Sequence, residues 1–358
     1  MNYRKKFSTL IQKKLNNDKI LSLGSNTSED VEKKFSNSLL LPKNTFQYKN
    51  SSVYDDIISF VSKKNKVTKD QVILINGARL AIFLALEFFC NVKKIIVQDL
   101  YFDVLGQMIK DFAKKNKIKI IYWKRDQSNQ YRLSDIKNNL DNKTLIFFNA
   151  PHNPTGWTPN QGYFNRLSKL ANQKKSFLIS DEVYKFIGRN SSVGINKLNR
   201  KTIIIGSFSK QFAAPGIRLG YLISVKKNIQ IFKNINSNLF ACYNELALRQ
   251  ANSLIKKYKF IKSKLNENIR INNYNFNKYL KPDNYNNQVL AGYYRIIKIP
   301  KVFSSADQYA YYLLKKKNIA VKSCQKMGKS GKKYVRFSLI CNPDKFLKGL
   351  KKLNNLDK

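Results

Sequence analysis

Three short segments gather residue types that do chemistry: Ala150-Pro151-His152-Asn153-Pro154-Thr155-Gly156, Ser180-Asp181-Glu182-Val183-Tyr184, and Gly206-Ser207-Phe208-Ser209-Lys210 followed by Pro215-Gly216-Ile217-Arg218-Leu219-Gly220-Tyr221. Each begins just past a buried-looking apolar run. Together they offer a carboxylate, an amide, a phenol, an amine and a guanidinium. Arg218 has the planar fork that suits a phosphate, and Ser207 and Ser209 can add hydroxyl donors. A fourth segment, Asn76-Gly77-Ala78, opens a helix-length stretch whose first N–H groups favour an anion, and Gly77 permits close approach. Taken singly these are modest signals, because Asn-Pro-Thr-Gly is most often a turn and a strand-end Asp is often a helix cap.

The elements that must position these residues are legible in the hydrophobic pattern. Apolar runs of four to six residues occur at 72–75, 94–97, 118–123, 144–148, 176–179, 202–205 and 220–223, and such runs read as strands buried on both faces. Amphipathic stretches such as Ala78 to Cys90 and Leu105 to Lys115 lie between several of them. Strand–helix–strand alternation predicts an α/β fold with a mostly parallel sheet flanked by helices, in which ligands bind beyond the carboxyl ends of the strands. From Leu248 to Tyr279 the pattern turns helical and basic. Beyond Pro282, the runs 292–299 and 334–339 and a helix near 306–317 predict a smaller α+β unit. We therefore expect a large domain at 36–247 and a small domain formed by 1–35 and 248–358.

A length of 358 residues with 43% hydrophobic and 13% aromatic residues supports a large buried core and excludes global disorder. No apolar run approaches the roughly 20 residues of a membrane span, and no apolar segment follows the basic N-terminus, so the expected location is cytoplasmic. Four scattered cysteines and a single histidine, His152, offer no metal site. The formal charge of +45 is spread along the chain among Asn and Ile. Lys, Asn and Ile all have A/T-rich codons, so base composition accounts for the excess without a nucleic-acid partner.

In their order and context these motifs resemble fold-type I pyridoxal 5′-phosphate (PLP) enzymes of the class I/II aminotransferase family. The resemblance runs from Leu21-Ser22-Leu23-Gly24-Ser25-Asn26 to Tyr334-Val335-Arg336, and within the family it leans toward histidinol-phosphate aminotransferases. It implies transfer of an amino group between an amino acid, or an amino-acid-like phosphate, and a 2-oxo acid. Lys210 would carry PLP as a Schiff base and shuttle the proton. Asp181 would face the ring nitrogen, and Asn153 and Tyr184 the phenolic oxygen. Gly77, Ala78, Ser207, Ser209 and Arg218 would hold the phosphate, and Tyr101 would stack on the ring. Tyr48, in Phe46-Gln47-Tyr48, would reach the phosphate of a neighbouring subunit, making the enzyme a homodimer with shared sites. Arg336 would bind the substrate's α-carboxylate, with Asn26 lining the same pocket.

This chain departs from the family pattern at three positions. Asp99 stands where a proline often precedes the stacking aromatic. Lys322 replaces a substrate-binding arginine, which keeps the charge but loses the fork. Arg79 occupies the first turn of the phosphate-side helix, where a cation opposes the helix dipole, so it either faces an anion, the cofactor phosphate or an anionic substrate tail, or points into water. Decarboxylation or β-elimination on the same scaffold is the alternative chemistry. A nucleic-acid-binding protein on a retired enzyme scaffold is the distant one.

Overall fold

The computed structural model describes residues 3, 6, 7, 10, 21–23, 53–126, 130–188, 193–280 and 292–354. Strand β1 (Leu21–Ser22) and helix α1 (Val53–Asn65) lead into β2 (Val72–Ile75), α2 (Ala78–Phe88), β3 (Lys94–Gln98), α3 (Asp103–Lys115), β4 (Lys119–Trp123), the one-turn α4 (Ser134–Lys137) and β5 (Thr144–Asn149). There follow α5 (Gln161–Gln173), β6 (Phe177–Asp181), β7 (Thr202–Ser207), the one-turn α6 (Phe208–Gln211) and β8 (Gly220–Ile223). Three helices, α7 (Lys226–Phe240), α8 (Glu245–Lys256) and α9 (Tyr258–Leu280), precede the C-terminal elements. These are β9 (Tyr294–Lys298), α10 (Ala306–Tyr312), β10 (Ile319–Ala320), β11 (Lys322–Ser323), β12 (Tyr334–Ser338) and α11 (Pro343–Asn354).

The large sheet has seven strands in the order β2-β8-β7-β6-β5-β3-β4. Every pairing is parallel except the two made by β8, which is antiparallel to β2 and β7. Strands β2, β5, β7 and β8 are buried along their whole length, which is why they are Ile, Leu, Val and Phe runs rather than alternating ones. The chain leaves β3 outward to β4 and returns to β5 on the other side of β3. This reversal opens a crevice at the carboxyl ends of the strands.

The inverted β8 follows from its connection. Between β7 and β8 lie only α6 and a 3₁₀ turn at Pro215–Ile217, too little for the helix that normally carries a parallel crossover. An antiparallel strand begins where its parallel neighbours finish. Gly220 therefore registers with both Ser207 and Ile75, and Arg218 arrives at the same sheet end as the residues that follow β2 and β7.

A second sheet, β11-β12-β9, is antiparallel with β12 in the middle, so Arg336 registers with Ile296 on one side and Lys322 on the other. Strand β1 pairs in parallel with β10. The helical stretch expected near 248–279 is two helices, α8 and α9, separated at Lys257. Asn268 and Asn272 of α9 are fully buried. Their side-chain amides donate to the carbonyls of Ile340 (3.3 Å), Leu339 (2.9 Å) and Cys341 (2.8 Å), satisfying the irregular backbone after β12. A small core of Leu100, Ile296, Cys324 and Met327 joins the loop after β3 to this second sheet.

Candidate active site

A cavity of about 340 Å³ opens at the carboxyl end of the large sheet. Strand ends β5 and β6 and their loops supply Asn149, Asn153, Asp181, Val183 and Tyr184; the β7–β8 connection supplies Ser207, Ser209, Lys210, Pro215 and Arg218; helix α2 supplies Ala78, Arg79 and Ile82. Phe102, Val104, Leu105 and Met108 close the apolar side.

Lys210 sits in α6, immediately beyond β7. Burial lowers the pKa of its ammonium; Tyr294 opposes that shift, whereas Arg336, Arg79 and Arg218 reinforce it. It forms no ion pair with any described residue, so its neutral amine is favoured, the form a nucleophile or base requires. Asp181 ends β6 and is 6% exposed. Burial first, and then the neighbouring Glu182, push its carboxyl up to about 7, against the pull of the Val183 N–H and Lys210. That N–H, at 3.3 Å, is its hydrogen-bond donor among the described residues. A buried carboxyl held this weakly is poised to ionise once a cation is brought against it.

Asn149 sets this corner. Its Nδ2 donates to the Asp181 carbonyl (2.9 Å), its Oδ1 accepts from Asn153 N (2.8 Å), and its own N–H donates to Gln98 Oε1 (2.7 Å). From Asn153 the network runs outward. Asn153 Nδ2 donates to Tyr184 Oη (3.2 Å), Tyr184 Oη donates to Tyr294 Oη (3.3 Å), and Arg336 Nη1 donates to Asn153 Oδ1 (2.8 Å). The Arg336 guanidinium also lies 3.8 Å above the Tyr294 ring. Burial raises the Tyr184 pKa well above its ordinary value, so Tyr184 serves as a neutral donor.

On the opposite wall the residues form an anion cradle. Gly77 caps α2 with φ 86° and contributes no side-chain cap, leaving the first-turn N–H groups to another partner. A Cβ there would stand 2.6 Å from Arg218 Nη2, so only glycine admits the guanidinium so close to the helix start. Arg218, itself left-handed at φ 51°, is braced by donating to the Pro215 carbonyl (2.9 Å). The Ser209 hydroxyl is buried with no hydrogen-bond partner among the described residues, an orphan that a phosphate oxygen would satisfy.

Two expected residues are placed elsewhere, and two lie beyond the described residues. Tyr101 does not border the cavity: its ring stacks on Tyr122 and fills the space over Gly106, and Phe102 lines the cavity instead. The cause is Asp99, the residue in the proline position. Its carboxylate accepts from Leu100 N (2.9 Å) and Ser330 Oγ (2.7 Å), Leu100 turns left-handed at φ 60°, and Tyr101 N donates to the Met327 carbonyl (3.1 Å). Lys322 likewise is not in the cavity wall, because its ammonium pairs with Asp103 at 3.1 Å. Tyr48 and Asn26 lie outside the described residues.

Asn149, Phe102 and Tyr294 were not singled out from the sequence. A polar residue closing an apolar run marks Asn149, and the Tyr293-Tyr294-Arg295 cluster after Gly292 hints at Tyr294. Nothing in the sequence separates Phe102 from Tyr101. Among the described residues no cluster of His, Cys, Asp and Glu could hold a metal, and no helix is long and apolar enough to cross a membrane.

An amine with no counter-ion among the described residues, a carboxyl awaiting a cation, two neighbouring donors and a helix start with no side-chain cap beside an arginine fit a phosphorylated pyridine aldehyde such as PLP. Comparison with known proteins agrees. The profile described as aminotransferase class I and II matches residues 14–353. An aspartate aminotransferase from Sulfolobus acidocaldarius is 27% identical over 58% of this chain and 54% of its own length. A histidinol-phosphate aminotransferase from Blochmanniella pennsylvanica is 28% identical over 55% of this chain and 56% of its own. Each alignment thus spans about half the length of the relative. The structure of an aspartate aminotransferase from Thermotoga maritima shares the fold, with a TM-score of 0.78 at 20% identity, covering 100% of this chain and 96% of that one. With a family match across nearly all of the sequence and a cavity of this composition, the chain belongs to the class I and II aminotransferases, whose cofactor is pyridoxal 5′-phosphate.

Proposed function

We propose that this chain moves an amino group between an amino acid, or an amino-acid-like phosphate, and a 2-oxo acid. The observation that carries the reading is the placement of Lys210 and Asp181 in one cavity, a deprotonation-prone amine facing a buried carboxyl, with the Gly77–Arg218 cradle to one side and Arg336 behind Asn153. When bound, PLP supplies an aldehyde that condenses with amines and a ring that withdraws electrons from the bonds at the substrate's α-carbon. The residues then divide the remaining work.

Asp181 would keep a proton on the ring nitrogen by supplying the opposite charge. Asn153 Nδ2 and Tyr184 Oη would donate to the ring's phenolic oxygen. Gly77, Ala78, Ser207, Ser209 and Arg218 would hold the phosphate. Lys210 Nζ would act as general base toward the proton on the substrate α-carbon and would hold that proton for the cofactor carbon across the imine nitrogen. Arg336 would receive the α-carboxylate, with Asn26 in the same pocket; Arg79 takes the substrate's other end. Assay of 2-oxo acid production from a panel of amino donors tests the reading. Release of CO₂ or thiol in place of 2-oxo acid would replace it with a decarboxylase or lyase.

We assign the cofactor to residues 36–247, the smaller unit to 1–35 and 248–358, and the protein to the cytoplasm as a homodimer in which Tyr48 reaches the partner's phosphate site. Hybrid dimers of Tyr48→Phe and Lys210→Ala chains are expected to deviate from the mean of the parents, because one of their two sites carries both lesions. Strict averaging would show that the sites are not shared. Gly77→Ala is expected to weaken cofactor binding about tenfold, since the added methyl meets Arg218 at a positive φ. Equilibrium titration of the apo-protein with PLP measures it.

A further inference from the structure

We infer that the substrate of this enzyme carries a second anionic group on its side chain, and that Arg79 binds it. The inference rests on the reading of the cavity as a PLP site and names the class of substrate it takes.

The charges in the cavity lead to this. Among the described residues its wall holds three cationic side chains, Arg79, Lys210 and Arg218, and a single acid, Asp181, which is assigned to the cofactor's ring nitrogen. Arg218 is committed to the cofactor phosphate by its contact with the Gly77 helix start. Lys210 is the reacting amine, and Arg336, bonded to Asn153 Oδ1, is the receiver of the α-carboxylate. Arg79 is left over. No described carboxylate pairs with it; its guanidinium lies 5.8 Å from the Phe102 ring on the apolar side of the cavity. It sits in the first turn of α2, where a cation is disfavoured by the helix dipole, and it also opposes the protonation of Lys210. Both effects run against a cation at this place unless an anion arrives there.

Lys322, the cation first expected to meet the substrate, is not available for that role. It is neutralised by Asp103 at 3.1 Å and lies outside the cavity wall. The charge that reads the far end of the substrate therefore passes to helix α2. A planar guanidinium there accepts either a carboxylate or a phosphate.

The test is equilibrium binding to the PLP-loaded protein, followed by calorimetry, of the unreactive dicarboxylate glutarate against pentanoate, which lacks the second charge. Wild type is expected to prefer glutarate, and Arg79→Gln to lose about 10- to 100-fold of that preference, the loss for one charge-assisted hydrogen bond. Arg79→Lys should retain part of it. 4-Phosphonobutyrate measured beside glutarate tells which anion fits better. An unchanged glutarate-to-pentanoate ratio in Arg79→Gln overturns the inference, and a fall in PLP affinity alone would give Arg79 to the cofactor phosphate. Because no turnover is needed, a protein that binds glutarate through Arg79 yet transfers no amino group would refute the proposed reaction and leave this inference standing.

Discussion

Replacing Lys210 by alanine is expected to lower amino transfer by at least about 10³-fold, within the range given by removal of a positioned general base. Arginine at the same position is expected to fail as completely. It keeps the charge and much of the length, but a guanidinium does not release its proton under protein conditions. The pair of variants thus separates chemistry from electrostatics. Both should fold, since the Lys210 side chain forms no ion pair with a described residue and its backbone carbonyl still accepts from Tyr293 Oη. Single-turnover measurement of 2-oxo acid release provides the check, with thermal unfolding as control. Retention of a tenth of wild-type activity in Lys210→Arg would remove Lys210 from the proton-transfer role.

The second large effect belongs to Asp181, and it divides activity from stability. Its carboxyl is raised from 3.8 to about 7 in the folded chain, so between those values the folded state holds a proton that the unfolded state has lost. Stability contributed at the acid end is therefore lost as pH climbs from about 4 to about 7, by on the order of 4 kcal/mol for a shift of this size. Asp181→Asn keeps the shape and removes the charge. At pH 7.5 the variant apo-protein should be more stable than wild type by a few kcal/mol, converging with it near pH 4, while amino transfer falls by orders of magnitude. Urea unfolding of both proteins across that range measures the difference and cancels titrations common to the two. Parallel pH profiles would show that Asp181 is not held in a charge-starved setting.

Most strand starts were readable from the sequence, as were the ends of β2, β4 and β8; the other four ends in the large sheet were cut short, and for one physical reason. Apolar runs were expected to stop at Val97, Phe148, Ile179 and Ile205, whereas the strands continue to Gln98, Asn149, Asp181 and Ser207. A hydrophobic pattern ends where side chains begin to face a ligand, but the backbone ladder does not. Asn149, Asp181 and Ser207 are strand residues because the sheet carries them to the cavity, and Asn149 was missed for the same cause. Phe102 was illegible because Leu100 takes a left-handed turn forced by contacts to Met327 and Ser330, more than two hundred residues away in the chain. The Lys322–Asp103 pair is hidden by the same distance. The inverted direction of β8 could not be read from Gly220-Tyr221-Leu222-Ile223, since a strand buried on both faces has the same composition whichever way it runs.

The insertion of β8 between β2 and β7 fixes an order of assembly. During synthesis β3 to β7 can zip together as each emerges, but β2 has no neighbour to pair with until residues 220–223 leave the ribosome. Until then α2 and its glycine cap are tethered to an unmoored strand. The late contact between distant segments is the slow kind, because loop closure must precede any gain from pairing. The two halves of the proposed phosphate cradle, Gly77 and Arg218, meet in that same event, so the cradle is complete only when the sheet closes. Arg336 emerges more than a hundred residues later, so the cradle can close before the residue proposed to receive the substrate has been made.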